Sequence, residues 1–453
     1  MKIVIAGCGK IGKNLVESLA AEHHEITVVD DNPVTITSVA ENYDCLAVCA
    51  NCAHYSTLKD INAGDCDLFI ATTGDDEVNM LACFLAKKMG AAHTVARIRN
   101  QEYSADSLGF IKDSLNLSMI INPDYLTAKR IRNMLKLPAA VKTESFTRGR
   151  FEMAELIVKE DSEMIGQTMI GLRNQNKFPF LVCSVLRDKD VFIPSGSFTL
   201  EAGDKVGIIA TPDNIQKFLK SFEMEQKGAK NVMILGASRI AKYLAKSLLD
   251  LGSSVKVIEK DEKRCTDFVE TLPSSVNVIC ADGTDQELLL QEGLEKSDAF
   301  VALTGMDEEN ISISFFAATK GVPTVVTKVN QNEHTDIMDK LGLERSISPK
   351  NICADIIIQY ARALSNSMGS SVETLYHLMD GTVEAVEFKV SDNFDALDTP
   401  IKDIKLKSDI LIAGIIRGNM SIIPGGLDEI KAGDRVIVIS AGRNLSDLSE
   451  ILK

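Results

Sequence analysis

Short apolar runs alternate along this chain with stretches whose apolar residues recur every three or four positions. The first run, "KIVIA", enters "GCGKIG", and an amphipathic segment follows at once. Five further runs read as strands: "EITVVD", "CLAVC", "DLFIATT", "HTVARI" and "LSMII". The segments between them have helical spacing, as in "VNMLACFLAKKMG", which ends on Gly90. Strand and helix in alternation predict a parallel sheet with helices on both faces. "PDYLTAKRIRNMLKLP" predicts a closing helix that starts after Pro123 and stops at Pro138. The pattern then changes to two or three strands, a turn in "RDKDVFIPSG", a Gly-Asp turn into another strand, and the short amphipathic helix "NIQKFLKSF". That is a small α+β domain.

The whole pattern then repeats. "KIVIAGCGKIGKNLVESLA" recurs as "NVMILGASRIAKYLAKSLL", so that Gly7 pairs with Gly236 at an offset of 229. Asp30 pairs with Glu259 at 229, Asp67 with Asp298 at 231, Pro123 with Pro349 at 226 and Pro194 with Pro424 at 230. A nearly constant offset over the full length means a tandem duplication. The join is expected near Glu223–Lys230, and the second copy should end on the helix "NLSDLSEIL". The expected fold is α/β: two Rossmann-like, doubly wound parallel-sheet domains (1–138 and 229–366), each followed by a small α+β domain (139–225 and 372–453).

Composition narrows the function. The 453 residues are 45% hydrophobic and 25% charged, the balance of a globular protein of several domains. Trp is absent and aromatics make up only 5%, so the core must be mainly Ile, Leu, Val and Ala. The net charge of −15 disfavours nucleic acid and direct adsorption to anionic lipid. It leaves open docking on basic cytoplasmic loops of a membrane protein. No run is long enough to span a bilayer, and the opening residues read as a strand rather than a leader. Ten scattered cysteines suit a reducing, cytoplasmic compartment.

The glycine loop has the context of a dinucleotide site: a strand before it, an amphipathic helix after it, and an acid at the end of the second strand. In Gly7, Cys8, Gly9, Lys10, Ile11 and Gly12 the three glycines permit the tight turn, the approach of a pyrophosphate and close helix–strand packing. Asp30, 18 residues beyond Gly12, is placed to accept hydrogen bonds from an adenosine ribose. Asp31 follows, with no Arg to meet a 2′-phosphate, which favours NAD(H) or another adenosine nucleotide over NADP. Later strand ends add Asn51 and Cys52, then Thr72, Thr73 and Gly74, then Arg97, a cation for the phosphates. The acids at 75–77 equally read as a helix N-terminus.

The second copy is degraded. Gly236 survives, but Ser238 and Ala241 replace the later glycines, around Arg239 and Ile240. Glu259 keeps the acid, and Asp282, Thr304 and Lys328 stand at the other strand ends. Cys49-x-x-Cys52 resembles half of a metal or redox motif, but the spacing does not recur, so small buried residues are expected. The small domains offer no Tyr-x-x-x-Lys, no Ser/His/Asp set and no His with a partner acid. What they share, Arg187 with Arg417, Pro194 with Pro424 and the Gly-Asp turns, reads as architecture.

The domain order together with "IAGCGKIG", "VVDD", "ATTGDDEVNMLACFLAKKMGA", "ARIRN", "INPDYLTAKRI", "LTGMDEENI" and the paired "AGD" turns resembles the TrkA family of potassium-uptake regulatory proteins. Its units are RCK (KTN) domains, each followed by a TrkA C-terminal domain. The resemblance implies a regulatory gating subunit, not an enzyme, at the cytosolic face of the plasma membrane. It would be held there by a potassium channel or transporter subunit of the TrkH/TrkG/KtrB type, without inserting into the membrane itself. It implies a homo-oligomeric ring of paired domains that binds NAD(H) and ATP or ADP. The implied ligand positions are Gly7 through Gly12, Asp30, Asn51, Cys52, Thr72, Thr73, Gly74 and Arg97. Cys52 stands where the family often has a small residue, and Ser238 breaks the second loop. The rival readings are an NAD-dependent oxidoreductase and a nucleotide sensor with no channel partner.

Overall fold

A computed structural model describes every residue except 23, 101–104, 137–141, 147–148, 223, 225–227, 274, 332–333, 335–337, 339, 344, 368–371, 380–381, 443–444 and 446. The expected domain limits at 138, 139 and 225, Pro138 and much of the Glu223–Lys230 join lie outside the described residues.

The first copy opens with β1 (Lys2–Ala6), α1 (Lys10–Ala21), β2 (Glu25–Asp30), α2 (Pro33–Asn42), β3 (Leu46–Cys49) and α3 (Tyr55–Asp60). It continues with β4 (Leu68–Ala71), α4 (Asp76–Met89), β5 (His93–Arg97), α5 (Ala105–Ser114), β6 (Met119–Ile121) and α6 (Pro123–Lys136). All neighbouring pairs are parallel, in the order β3-β2-β1-β4-β5-β6. The central strands are buried on both faces, which is why "IVIA" and "LFIA" show no alternation. The small domain that follows holds β7 (Lys142–Phe146), β8 (Phe151–Ile157), α7 (Met169–Gln175), β9 (Leu181–Arg187), β10 (Asp190–Phe192), β11 (Lys205–Ala210) and α8 (Pro212–Ser221). Its antiparallel sheet runs β10-β9-β11-β8-β7.

The second copy repeats this with β12 (Asn231–Leu235), α9 (Arg239–Asp250), β13 (Ser254–Glu259), α10 (Glu262–Thr271), β14 (Asn277–Cys280) and α11 (Gln286–Gln291). Then come β15 (Ala299–Ala302), α12 (Asp307–Thr319), β16 (Thr324–Lys328), β17 (Ser346–Ile347) and α13 (Pro349–Ser367). The strand order, β14-β13-β12-β15-β16-β17, is that of the first sheet. The duplication reaches individual side chains: α1 buries Ile11, Gly12, Leu15, Val16 and Leu19, and α9 buries Ile240, Ala241, Leu244, Ala245 and Leu248. The second small domain has β18 (Val372–Leu378), β19 (Val383–Lys389), β20 (Ile410–Arg417), β21 (Met420–Ile422) and β22 (Arg435–Ala441), in the order β18-β19-β22-β20-β21.

Each small sheet has five strands, more than the three or four expected. The extra ones are short, such as β10 and β21, and hid inside what read as turns. The expected last helix is also different: its described part is a 3₁₀ turn, Leu448–Ile451, started by Asp447 accepting from the Ser449 N–H at 2.8 Å.

The chain forms two compact units. One unites both parallel-sheet lobes (Met1–Arg132 with Ala229–Ala361). Its lobes meet through Asn14 Nδ2 donating to Asn351 Oδ1 at 2.9 Å, Asn122 Nδ2 donating to the Tyr243 hydroxyl at 3.1 Å, and an edge-on Tyr125–Tyr243 pair. The other unites both small domains (Asn133–Gly228 with Arg362–Lys453). Phe146, Phe151 and Ile209 there share one core with Leu378, Val383 and Ile439. Arg187 and Arg417 are the architectural residues expected: each forks onto a buried aspartate, Asp204 (Nε 2.7 Å, Nη2 2.8 Å) and Asp434 (Nε 3.0 Å, Nη2 2.8 Å). Those aspartates also accept from the Glu201 and Lys431 N–H groups at 2.9 Å, closing the two Gly-Asp turns.

Candidate nucleotide site

The β1–α1 turn sits at the carboxyl end of the first sheet, beside the place where strand order reverses. Ligands of such sheets bind there. Gly7 has φ +90°, and a Cβ on it would lie 2.5 Å from the Thr73 nitrogen. A Cβ at position 12 would lie 2.1 Å from the Gly7 carbonyl oxygen. These two glycines are therefore required by backbone approach alone, with or without a ligand. Gly9 differs. Nothing lies within 4 Å of where its Cβ would be, so the space above it is open. Gly9 is also the N-cap of α1 and supplies no side-chain acceptor. The first-turn N–H groups of α1 are thus left for another acceptor, as a phosphate cradle needs.

Asp30 ties the loop to the end of β2. Its Oδ2 accepts from the Cys8 N–H at 2.6 Å and its Oδ1 from the Asn32 N–H at 2.9 Å. A carboxylate has about four acceptor positions, so capacity remains for ribose hydroxyls. The next loop is held from within. The Thr72 hydroxyl donates to the Gly7 carbonyl at 2.9 Å, and Asn79 Oδ1 accepts from both the Thr73 N–H (2.9 Å) and its hydroxyl (2.7 Å). Asn79 also donates to the Arg97 carbonyl at 2.9 Å, so one buried amide sets the ends of β4 and β5 together. Asp75 caps α4 through the Val78 N–H at 2.8 Å, the helix-start reading of these acids.

Arg97 is the electrostatic centre. Its side chain is buried, and neither Nε nor Nη2 has a hydrogen-bond partner among the described residues. Burial, and then the nearby Arg99, lower its pKa. Arg99 is satisfied by Asp124 at 3.0 Å, and Asp124 also takes Arg239 from the second lobe at 3.2 Å. A buried, unpaired guanidinium is costly unless an anion completes it.

A cavity of about 620 Å³ joins these groups. Of the first-lobe residues expected, Gly7, Gly9, Lys10, Ile11, Asp30, Asp31, Asn51, Cys52, Thr72, Thr73, Gly74 and Arg97 line it. Cys8 and Gly12 do not; the thiols of Cys8 and Cys52 are both buried, which pushes each pKa up to about 11. Cys49 is exposed at the end of β3, contrary to the buried role expected, because that strand is the sheet edge. Arg99 and Asp124 also line the cavity, and so do Asn330 and Lys350 of the second lobe; none of these four was expected. Asn79, also unforeseen, does have a signal: the repeat places Asn310 opposite it.

Residues 3–123 and 232–349 match the TrkA-N domain, and residues 153–223 and 385–453 match the TrkA-C domain. The chain belongs to the TrkA family. It is 31% identical over 453 residues to the Trk system potassium uptake protein TrkA homolog of Archaeoglobus fulgidus, covering 100% of both chains. It is 27% identical over 463 residues to the Trk system potassium uptake protein TrkA of Haemophilus influenzae, covering 100% of this chain and 99% of that one. Among solved structures it resembles the GsuK channel bound to NAD, with a TM-score of 0.64 and 16% identity over 97% of this chain and 77% of that chain. At that identity the likeness speaks for the fold.

The second TrkA-N lobe keeps the scaffold and narrows the site. Asn310 repeats Asn79, accepting from the Thr304 N–H (2.9 Å) and hydroxyl (2.8 Å) and donating to the Lys328 carbonyl (3.0 Å). Ser238, however, caps its own helix by accepting from the Ala241 N–H at 3.3 Å. Lys328, which replaces Arg97, donates to the Thr304 carbonyl at 2.6 Å; burial lowers its pKa. Glu259 is buried and accepts from the Ala237 N–H (2.8 Å) and the Asp261 N–H (3.0 Å). The remaining cavity is about 280 Å³. Gly236, Ser238, Glu259, Asp282, Thr304 and Lys328 line it, but Arg239 and Ile240 do not. Arg239 faces a different cavity, shared with Lys242 and Lys246, and Ile240 is in the core of its lobe.

Proposed function

We propose that this chain is a nucleotide-binding regulatory subunit of a Trk-type potassium uptake system. In this reading the first TrkA-N lobe holds NAD(H), or ADP or ATP, in the cavity between Gly7 and Asp30. The observation that carries the ligand reading is Arg97: a buried cation, unpaired on two nitrogens, opposite an uncapped helix start. The potassium reading is supported by the names of full-length relatives, and the dinucleotide reading by the NAD-bound GsuK channel. No described helix is long and apolar enough to cross a membrane. In this reading the partner is a separate TrkH/TrkG/KtrB-like membrane subunit, with this chain on its cytosolic side as an oligomeric ring. The ligand acts as a signal and is not consumed: occupancy shifts a conformational equilibrium by its differential affinity for the two states.

Calorimetry with NADH and with ADP on the full chain and on Asp30→Ala tests the site. We expect at least about a tenfold loss for both ligands, the scale of one charged hydrogen bond removed. Unchanged affinity for both would sink the assignment. Steady NADH turnover with carbonyl substrates would instead favour an oxidoreductase. Normal potassium uptake in cells lacking the protein would leave a sensor with no channel partner.

A further inference from the structure

The first-lobe cavity is closed in part by the second lobe. Pro349 and Lys350, which open α13, line it together with Asn330. That helix start is anchored across the lobe boundary, because Asn351 takes the hydrogen bond from Asn14 of α1. One turn further on, Cys353 is fully buried within electrostatic reach of Arg97. The reverse does not hold: no described first-lobe residue lines the second-lobe cavity.

Charge separates the two helix starts. In the repeat Lys350 occupies the place of Asp124. Asp124 is already paired with Arg99 and Arg239. Lys350 has no acid and no hydrogen-bond acceptor among the described residues. The acids that share its cavity are otherwise engaged or distant in role: Asp75 caps α4, and Asp30 and Asp31 stand at the adenosine end. What faces the remaining end is Arg97, buried and unpaired, with Lys10 at the loop. Lys350 and Arg97 line one cavity, and an anion placed between two such cations is attracted by both. The N-terminus of a 19-residue helix adds a partial positive charge at the same point.

We propose that Lys350 is a ligand-contacting residue of the first-lobe nucleotide site, gripping the phosphates from across the lobe boundary so that bound ligand ties α13 to the glycine loop. This rests on the nucleotide reading above. The phosphate is the group recognised, since a positively charged nicotinamide ring would be repelled by this end of the cavity. The consequence is that the first site's occupancy is felt by the second lobe, and by linkage the placement of α13 sets the first site's affinity.

The test is calorimetry on the full chain with ADP and with adenosine, using Lys350→Ala, Lys350→Arg and Asp30→Ala. Lys350→Ala should weaken ADP about tenfold while adenosine stays within about twofold, as expected for one charge-assisted contact to phosphate. Lys350→Arg should restore most of the ADP affinity, and Asp30→Ala should weaken both ligands. The proposal is overturned if Lys350→Ala binds ADP like the parent chain, or loses ADP and adenosine by the same factor. Absence of binding of either ligand to the parent chain would defeat the nucleotide reading itself, and this assignment with it.

Discussion

The two TrkA-N lobes share a fold down to single hydrogen bonds, yet they treat their ligand-facing ends in opposite ways. Asp76 accepts from the Arg99 and Asn100 N–H groups at 2.7 and 2.8 Å, and Asp307 accepts from the Asn330 and Gln331 N–H groups at 2.7 and 3.0 Å. Asn79 and Asn310 make the same four bonds. These contacts keep strand ends and helix starts in place and are needed by any lobe of this kind. The differences fall where a phosphate would lie. The first lobe leaves a helix start uncapped and a guanidinium unpaired, whereas the second fills both positions from its own side chains. A lobe that satisfies itself gains stability and loses its reason to bind. A lobe left unsatisfied keeps free energy to be released by a ligand.

The sharpest way to break this comparison is to remove the two cations. Arg97→Met should leave the unliganded protein more stable, by about 1–3 kcal/mol, because it deletes a buried group that makes too few bonds. The same change should cost roughly a hundredfold in ADP affinity, since the phosphates lose a desolvated partner. Lys328→Met should do the reverse. It strips a donor from the Thr304 carbonyl, so stability falls by about 1 kcal/mol, and first-lobe affinity stays put. Thermal melts with and without ADP check both. If Arg97→Met melts lower than the parent chain without ligand, Arg97 is structural and the contrast between the lobes fails.

A smaller effect is expected from grafting one lobe's loop chemistry onto the other. Gly9→Ser gives the first loop the residue of the second. Open space surrounds that position, so the folded state should accept it, and Ser in place of Gly at an N-cap changes stability by only a few tenths of a kcal/mol. Affinity for NADH and ADP should fall about tenfold as the hydroxymethyl group takes up the cradle. Calorimetry beside a melt separates the two effects. A large loss of stability with unchanged affinity would mean that the open space at Gly9 serves packing.

Much of this contrast was legible in the sequence, for physical reasons. A doubly buried strand, a tight turn and an amphipathic helix each impose a local pattern, so the glycine loop, Asp30 and the strand-end residues could be found by spacing. The repeat sharpened that reading, because Ser238 and Lys328 are visible as departures only beside Gly9 and Arg97. Tertiary placement was hidden. Lys350 and Asn330 reach the first cavity from more than 200 positions away, and no periodicity carries that information. The alignment of the halves makes Asp124 and Lys350 equivalent, but does not reveal that both line one cavity. Arg239 was misplaced for the same reason, since an interlobe ion pair drew it out of its own loop's cavity. In the small domains the three-residue strands β10 and β21 are too short to show alternation.

The smallest expected effect lies away from the loops, at the lobe contact formed by His93 and Tyr360. The rings meet edge-on, and the Tyr360 hydroxyl lies 3.2 Å from His93 Nδ1. The second lobe has Thr324 in the equivalent place, so only one lobe carries a titratable group here. Burial, and then Lys87, lower the His93 pKa, with Asp67 opposing. The folded state therefore holds fewer protons than the unfolded chain, whose histidine titrates near about 6.5. Stability from this source is complete above that value and declines as pH falls through it. Between about pH 7.5 and 5.5 the melting temperature of the parent chain should drop slightly more than that of His93→Thr, the second lobe's residue. Equal drops would show that the neutral imidazole adds nothing to the contact, and that the lobes differ only at their ligand ends.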